Sequence, residues 1–180
     1  EGNDTLVAGA GRDTLIGGPG DDQLVGDVQN SGRIYGPDGE IVSNWTDADY
    51  SDATDGVTVT MSGASGTSES TVTGDGSVGT DTLTNIEDVR GTDFDDTLTG
   101  DSGNNVLDGR EGNNLLVATA GNDTLKGSTR GLRSDLNQAD YSAGTTPLTV
   151  NLGVSDSLGT VTGAAFGTDT LQNIDKVFGG

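Results

Sequence analysis

The sequence predicts an all-β chain of short strands and glycine turns, and three observations carry that reading. Leucines recur every nine residues in two arrays, at Leu6, Leu15 and Leu24 and at Leu98, Leu107, Leu116 and Leu125. The 180 residues include 31 glycines while aromatic residues make up only 4%, so any core is thin and repetitive. A set of short motifs also occurs twice, about 90 residues apart, which marks two copies of one larger unit.

A nine-residue beat fits neither a helix nor an ordinary strand. It fits a six-residue turn followed by a three-residue strand whose middle Leu points inward, because side chains alternate faces along a strand. Two residues before each Leu stands an oxygen-bearing side chain: Asp4, Asp13 and Asp22 in the first array, and Asp96, Asn105, Asn114 and Asp123 in the second. Two before that comes glycine, at Gly2, Gly11, Gly20, Gly103, Gly112 and Gly121, with Phe94 taking the place once. Gly9, Gly18, Gly100 and Gly109 stand earlier in the turns. Glycines let such turns reach φ > 0 and crowd their carbonyls around a common point, and the closing side chain adds a further oxygen. A cage of hard oxygens suits calcium.

The pattern Gly-Gly-x-Gly-x-Asp-x-Leu-x resembles the RTX, or haemolysin-type, calcium-binding nonapeptide. The resemblance implies a parallel β-roll of RTX type, with two nonapeptides to a coil and calcium between turns on the same edge. It also implies ligands: turn carbonyls from the glycines named above, and side-chain oxygens of Asp4, Asp13, Asp22, Asp96, Asn105, Asn114 and Asp123. Glu87 and Asp175 fall in the same slot of two degenerate turns and join the expected set. Pairing of alternate repeats predicts that Asp4 faces Asp22, that Asp96 faces Asn114, and that Asn105 lies between Glu87 and Asp123. Asn lacks the charge of Asp, so its sites are expected to be weaker, and Phe94 weakens the turn it occupies.

The formal charge of −21, from 29 acids against 8 bases, excludes nucleic acid as a partner and makes an empty fold repel itself. The absence of Cys and His removes disulfides, thiolate zinc sites and the usual nucleophile–base pairs. Calcium is the staple that is left. No apolar run approaches the length of a membrane span, and no basic, apolar leader is present. An EF-hand over residues 47–56 fails because Asp52 stands where Gly is needed, Thr58 replaces the closing Glu, and no helices flank it.

Taken in order, residues 1–27 are calcium turns. Arg33–Tyr35 and Glu40–Val42 flank the turn signal Gly36-Pro37-Asp38-Gly39, which predicts a hairpin. Residues 47–56 read as a turn linking strands, Val57–Met61 as a strand of period two, and Ser62–Gly79 as exposed loop with an edge strand at Thr71–Thr73. Asp81–Arg90 returns to phase, with Asn85 in a glycine slot. The second array, 91–128, is followed by a polar connector containing Arg130 and Arg133. Then Ala139–Ser142 answers Ala48–Ser51, Leu148–Leu152 answers Val57–Met61, Thr160–Gly163 answers Thr71–Gly74, and Gly167–Val177 answers Gly79–Val89. The chain is therefore expected to hold two tandem units. Residues 1–90 comprise turns 1–27, a β-rich insert 28–82 and a return 83–90; residues 91–180 comprise turns 91–128, an insert 129–170 and a return 171–180. Tyr50 and Tyr141, in a repeated Asp-Tyr-Ser trio, read as aromatic caps on the core, with Asp49 and Asp140 bonding turn amides. No base or cofactor fingerprint accompanies them, so the chain is not expected to be an enzyme.

These features imply a calcium-dependent structural module of a secreted or cell-surface bacterial repeat protein, of adhesin, surface-layer or filament type, folding on calcium binding. The alternative is the carboxy-terminal folding and secretion domain of an exported protease or lipase. Outward Thr5, Thr14, Thr97 and Thr124 raise a third idea, ice or carbohydrate binding, although β-propensity alone also supplies threonine. The expected partners are calcium and either end-on copies or neighbouring repeats. Read tail to head, Gly179-Gly180 and Glu1–Val7 complete a nonapeptide.

Overall fold

The computed structural model describes residues 2–27, 45–62, 70–128, 135–153 and 158–180, with the backbone of 34–35 and 41–42. Nineteen strands and no helix occur among these residues. The first array forms β1 (Thr5–Val7), β2 (Arg12–Leu15) and β3 (Gln23–Val25). Its insert holds β4 (Ile34–Tyr35), β5 (Ile41–Val42), β6 (Trp45–Asp49), β7 (Thr58–Thr60), β8 (Ser70–Thr73) and β9 (Thr80–Thr84). β10 (Asp88–Arg90) leads into the second array, β11 (Thr97–Thr99), β12 (Val106–Asp108), β13 (Leu115–Val117) and β14 (Thr124–Lys126). β15 (Gln138–Tyr141), β16 (Leu148–Asn151), β17 (Gly159–Gly163), β18 (Gly167–Gln172) and β19 (Lys176–Gly179) complete the chain.

Successive nonapeptides alternate between two sheets, so neighbours within a sheet are parallel and two repeats apart. Leu6 pairs with Leu24, Leu98 with Leu116, and Leu107 with Leu125. The first sheet runs β1-β3-β9-β8-β7-β11-β13-β15-β19 and the second β2-β6-β10-β12-β14-β18-β17-β16. This is the predicted parallel β-roll. Between the sheets lies a core one side chain deep: Leu24, Leu83, Val72, Val59, Leu98, Leu116 and Ala139 from the first sheet, and Leu15, Ala48, Val89, Leu107, Leu125 and Leu171 from the second, all buried. β4 and β5 form a separate antiparallel pair, Ile34 opposite Val42, at the place of the predicted hairpin. Its turn at 36–39, and Arg130 and Arg133 of the connector, lie outside the described residues.

Two elements differ from the sequence reading. Trp45–Asp49 is a strand of the roll rather than part of a linking turn, with Ala48 in the leucine position between Leu15 and Val89. Ala139 likewise stands between Leu116 and Val177. A lone methyl group hides the beat, and the buried rings of Tyr50 and Tyr141, next but one along the chain, contribute the bulk that Ala lacks. The second difference is Thr71–Thr73, which is no edge strand. β8 lies between β7 and β9, and Val72 is fully buried.

The inserts work by overshoot. From β6 the chain crosses to β7, two places beyond β3's neighbour, and β8 and β9 fold back antiparallel to fill the gap. β16, β17 and β18 repeat this manoeuvre after β15. An odd number of crossings separates β6 from β15, so the second copy lies in the opposite sheet.

Leu107→Ala should destabilise the calcium-loaded chain by about 2–5 kcal/mol, the usual cost of emptying a fully buried leucine site. Val7→Ala, at a side chain 68% exposed, should change stability by less than about 0.5 kcal/mol. Equal shifts in denaturant melts would contradict the inward column.

Candidate metal centre

Two residues before each inward side chain of the parallel-paired strands lies the slot that closes the turn. Along the first sheet's edge it holds Asp4, Asp22, Asp81, Val57, Asp96, Asn114, Asn137 and Asp175; along the second, Asp13, Thr46, Glu87, Asn105, Asp123 and Asp169. A side-chain oxygen in this slot accepts a backbone N–H from the neighbouring coil. Asp4 N–H donates to Asp22 Oδ1 at 2.8 Å, Asp22 N–H to Asp81 Oδ1 at 2.9 Å, Val57 N–H to Asp96 Oδ1 at 2.8 Å and Asp96 N–H to Asn114 Oδ1 at 2.9 Å. On the other edge Thr46 N–H donates to Glu87 Oε2 at 2.9 Å, Asn105 N–H to Asp123 Oδ1 at 3.0 Å and Asp123 N–H to Asp169 Oδ1 at 2.8 Å. Asn137 N–H reaches Asp175 Oδ2 at 2.9 Å. The expected facing pairs are thus adjacent, and a coil-to-coil ladder runs along each edge.

Glycine makes this geometry possible. A Cβ on Gly91, Gly100 or Gly109 would collide with the closing side chain of its own turn, Asp96, Asn105 or Asn114. Gly2, Gly11, Gly18, Gly20, Gly112 and Gly121 adopt φ between 82° and 143°, whereas Gly9, Gly100, Gly103 and Gly109 do not take positive φ. A Cβ on Gly20 would overlap Gly2 O, and one on Gly121 would overlap Gly103 O. Turn carbonyls of one coil therefore lie against the glycine of the next, as a carbonyl-lined cation site requires. Asn85 takes φ 55° in its glycine slot, and Asn173, its counterpart in the second copy, takes 54°.

The second carboxylate oxygen decides which slots suit a cation. Asp13 Oδ2, Asp22 Oδ2, Asp81 Oδ2, Asp123 Oδ2 and Asp169 Oδ2 are buried without a hydrogen-bond partner. An ionised group so placed is costly unless a counter-charge compensates it. Burial pushes Asp123 up to about 7, with Asp169 and Asp101 adding to the effect against the hydrogen bond from Asn105. Burial likewise raises Asp81 and Asp169, against the amide hydrogen bonds from Asp22 and Asp123 and the pull of the neighbouring Tyr50 and Tyr141 hydroxyls. Two of the cationic side chains among the described residues are paired elsewhere, Arg90 with Asp49 at 2.8 Å and Arg110 with Asp93 at 2.6 Å. Open carboxylate oxygens at the ends of turns whose carbonyls crowd the next glycine fit calcium, which takes six to eight oxygen ligands. Among the described residues no three acidic side chains gather into one metal-holding group, so each ion would take most of its ligands from carbonyls.

Other expected slots fit less well. Both oxygens of Asp96 are taken, Oδ1 by Val57 N–H and the Thr92 hydroxyl and Oδ2 by Thr92 N–H at 2.7 Å. The same hydroxyl accepts Phe94 N–H at 2.9 Å, so Thr92 braces the turn that lacks its glycine. Asn105 Oδ1 accepts Asp101 N–H at 2.9 Å while its Nδ2 donates to Glu87 O at 2.9 Å. Asn114 Nδ2 donates to Glu111 O at 3.1 Å and to Asn137 Oδ1 at 3.0 Å. At these positions an amide N–H meets the carbonyl a cation would meet, joining the coils without metal. Asp4 and Asp175 are exposed. Sequence reasoning overlooked Asp81 and Asp169, although Gly79-Thr80-Asp81-Thr82-Leu83 and Gly167-Thr168-Asp169-Thr170-Leu171 keep the Gly-x-Asp-x-Leu spacing.

The alternating sheets, glycine turns and open carboxylates define a calcium-binding β-roll repeat module. Residues 1–31 and 89–128 match the family model described as RTX calcium-binding nonapeptide repeat (4 copies). The two arrays are RTX repeats, and calcium is the ion such repeats bind. Among curated proteins, none matches the chain.

Asp123→Asn should keep the cap on Asn105 N–H, as Asn114 does for Asp96, while removing the charge. The calcium midpoint followed by circular dichroism should rise about tenfold, equivalent to about 1.4 kcal/mol. Asn114→Ala should lower the melting temperature with little effect on that midpoint. A midpoint unmoved by Asp123→Asn would show that its open oxygen holds no ion.

Proposed function

We propose that this chain is a structural module of a secreted or cell-surface bacterial repeat protein, of adhesin, surface-layer or filament type, that folds on binding calcium. The observation that carries the reading is the ladder of closing carboxylates along both edges, with oxygens open at Asp13, Asp22, Asp81, Asp123 and Asp169. Extracellular calcium suits such sites, because extracellular modules bind at about 0.1–1 mM. The repeated Asp-Tyr-Ser trio supports structure over catalysis: Tyr50 and Tyr141 are buried, and Asp49 and Asp140 accept Ser51 N–H and Ser142 N–H at 2.9 and 2.8 Å. Among the described residues no helix is long and apolar enough to cross a membrane.

Residues 1–90 and 91–180 act as two tandem units of one roll, since β7 pairs with β11 and β10 with β12 across the boundary. The doubled insert favours a module over a folding and secretion tail of an exported enzyme, for which turns alone suffice. End-on joining is part of this reading. β7 lies between β8 and β11, and Val57, Val59 and Met61 are buried. Its counterpart β16 pairs on one side only among the described residues, leaving Val150 and Leu152 each 44% exposed. A strand of the β1 kind, from a second copy or a neighbouring repeat, fits that edge as β11 fits β7.

A second reading is favoured by the outer face of the first insert. Thr80, Thr73, Thr58 and Thr97 stand in one cross-strand row, and Thr82, Thr71, Thr60 and Thr99 in the next. Thr97 belongs to this lattice, whereas Thr5 is separated from it by Gln23 and Thr14 sits beside Asp47. A regular array of outward hydroxyls of this kind favours a repetitive ligand such as ice or a crystalline carbohydrate. Ice-recrystallisation assays should respond to Thr58→Lys and Thr73→Lys together; no activity in the unmodified chain would remove the reading.

Excess chelator should abolish most of the β-structure seen by far-UV circular dichroism, and millimolar calcium should restore it. Magnesium should substitute poorly because it dehydrates reluctantly. The same samples in sedimentation should grow with concentration and revert in chelator. A spectrum indifferent to chelator would overturn the calcium reading, and a strictly monomeric species at high concentration would overturn end-on joining.

A further inference from the structure

We propose that the wedge between two diverging turns of the first unit, 16–22 and 50–57, is a binding pocket for a single aromatic ring, and that its acidic mouth selects small aromatic amines. The inference goes beyond the calcium reading, since the lining of this pocket includes none of the side chains that close the turns.

The insert creates the wedge. β2 and β6 are neighbours in the second sheet, but β3 and β7, into which they lead, are separated in the first sheet by β9 and β8. The two turns therefore start one strand spacing apart, about 4.8 Å, and end three spacings apart, about 14 Å. The second unit repeats the divergence: β13 and β15 are neighbours, while β14 and β16 are separated by β18 and β17. Each wedge holds a buried tyrosine, Tyr50 or Tyr141, whose hydroxyl is directed at Asp81 or Asp169.

What fills the remaining space differs between the units. In the second, buried Phe166 packs edge-on against Tyr141, with ring centroids 5.0 Å apart and 79° between the planes, and it crosses Gly144 so closely that a Cβ there would collide with the ring. The first unit has Val78 before Gly79 where the second has Phe166 before Gly167. It has Ala53 in place of Gly144, and each of these donates its N–H to the carbonyl of its tyrosine. An isopropyl and a methyl group thus replace a phenyl ring and a hydrogen. A pocket of about 180 Å³ remains, walled by Ile16, Pro19, Tyr50, Ala53 and Val78. Sites for drug-sized ligands measure about 300–1,000 Å³, so this one suits a single ring, taking the place against Tyr50 that Phe166 takes against Tyr141.

The walls are tied together without a ligand. The β8–β9 turn, 74–79, is one residue longer than its counterpart, 163–167. Its Ser77 Oγ accepts Thr54 N–H at 3.0 Å and donates to Asp75 Oδ1 at 2.5 Å, which fastens it to the turn that follows Tyr50. Asp49 and Asp52 stand at the mouth. Asp49 is paired with Arg90, whereas Asp52 is exposed, and the whole chain carries a formal charge of −21. That field favours a ring with a cationic tail over one with an anionic tail.

The test is a titration of the isotope-labelled, calcium-loaded chain with phenethylamine or phenylacetate, followed by amide shifts in NMR, with circular dichroism reporting the fold of each variant. Phenethylamine should shift the amides of Ala53 and Val78 saturably, and phenylacetate should bind about tenfold more weakly. Ala53→Gly/Val78→Phe, which copies the filling of the second wedge, should abolish the shifts. Phe166→Val empties the second wedge and should add a saturable shift at Gly144, a result that does not depend on whether the filled variant folds. Absence of saturable shifts at Ala53 and Val78 in the unmodified chain, their persistence in a folded Ala53→Gly/Val78→Phe chain, or no new shift at Gly144 in a folded Phe166→Val chain would overturn the pocket. Equal affinity for the two probes would overturn the selection for amines.

Discussion

The structure depends on one recurring interaction: a side-chain oxygen at the end of a turn, most often a carboxylate, accepting the backbone N–H of the neighbouring coil. That bond sets the register between coils, and it draws acids into places that solvent does not reach, such as Asp22, Asp123 and Asp169. One oxygen of each is used, and the other is buried without a hydrogen-bond partner. Bringing the coils together therefore concentrates negative charge along two lines, in a chain of 29 acids and only 8 bases. Calcium resolves the conflict because it neutralises the acid and the carbonyl dipoles at the same point. On the proposed reading, assembly of the roll and loading of the ion are one event.

The asparagine slots show the alternative solution to the same problem. Asn114 supplies the capping oxygen to Asp96 N–H without the charge, Asn105 turns its oxygen to Asp101 N–H of its own turn, and both satisfy carbonyls with their own N–H groups. They lie in the middle of the second array, where coils are stacked on both sides. A roll that mixes the two solutions holds some coil contacts independently of calcium and others only in its presence. Asp96 adds a third arrangement, in which Thr92 occupies the oxygens from within the turn.

Much of this was legible in the residues. The nine-residue beat located every strand of the two arrays, and the Asp-to-Asp and Asn-to-Asp neighbours followed from pairing alternate repeats. The doubling of the inserts was also visible, down to Asn85 in a glycine slot. Their topology was not. Ala48 and Ala139 stand where leucine marks the other coils, and the volume they lack is supplied partly by Tyr50 and Tyr141, a compensation no periodicity reveals. Nor does local pattern tell an edge strand from a central one: Thr71–Thr73 alternates as either would, and only its neighbours β7 and β9 place it inside. Asp81 and Asp169 kept the spacing of a closing acid, but antiparallel company disguised them as strand residues. Neither could sequence show that Asp96 already has both oxygens occupied, because its partners Val57 and Thr92 are set by the fold.

The central claim, that the capped coil contacts exist because a cation compensates them, is most directly tested by amide hydrogen exchange with and without calcium. The capped amides of Asp22, Asn105 and Asp123 should be protected together with the strand amides in millimolar calcium and should lose protection together on chelation, whereas the amide of Asp96, capped by neutral Asn114, should be the last to exchange. Protection at Asp22, Asn105 and Asp123 that persisted unchanged in chelator would contradict the account.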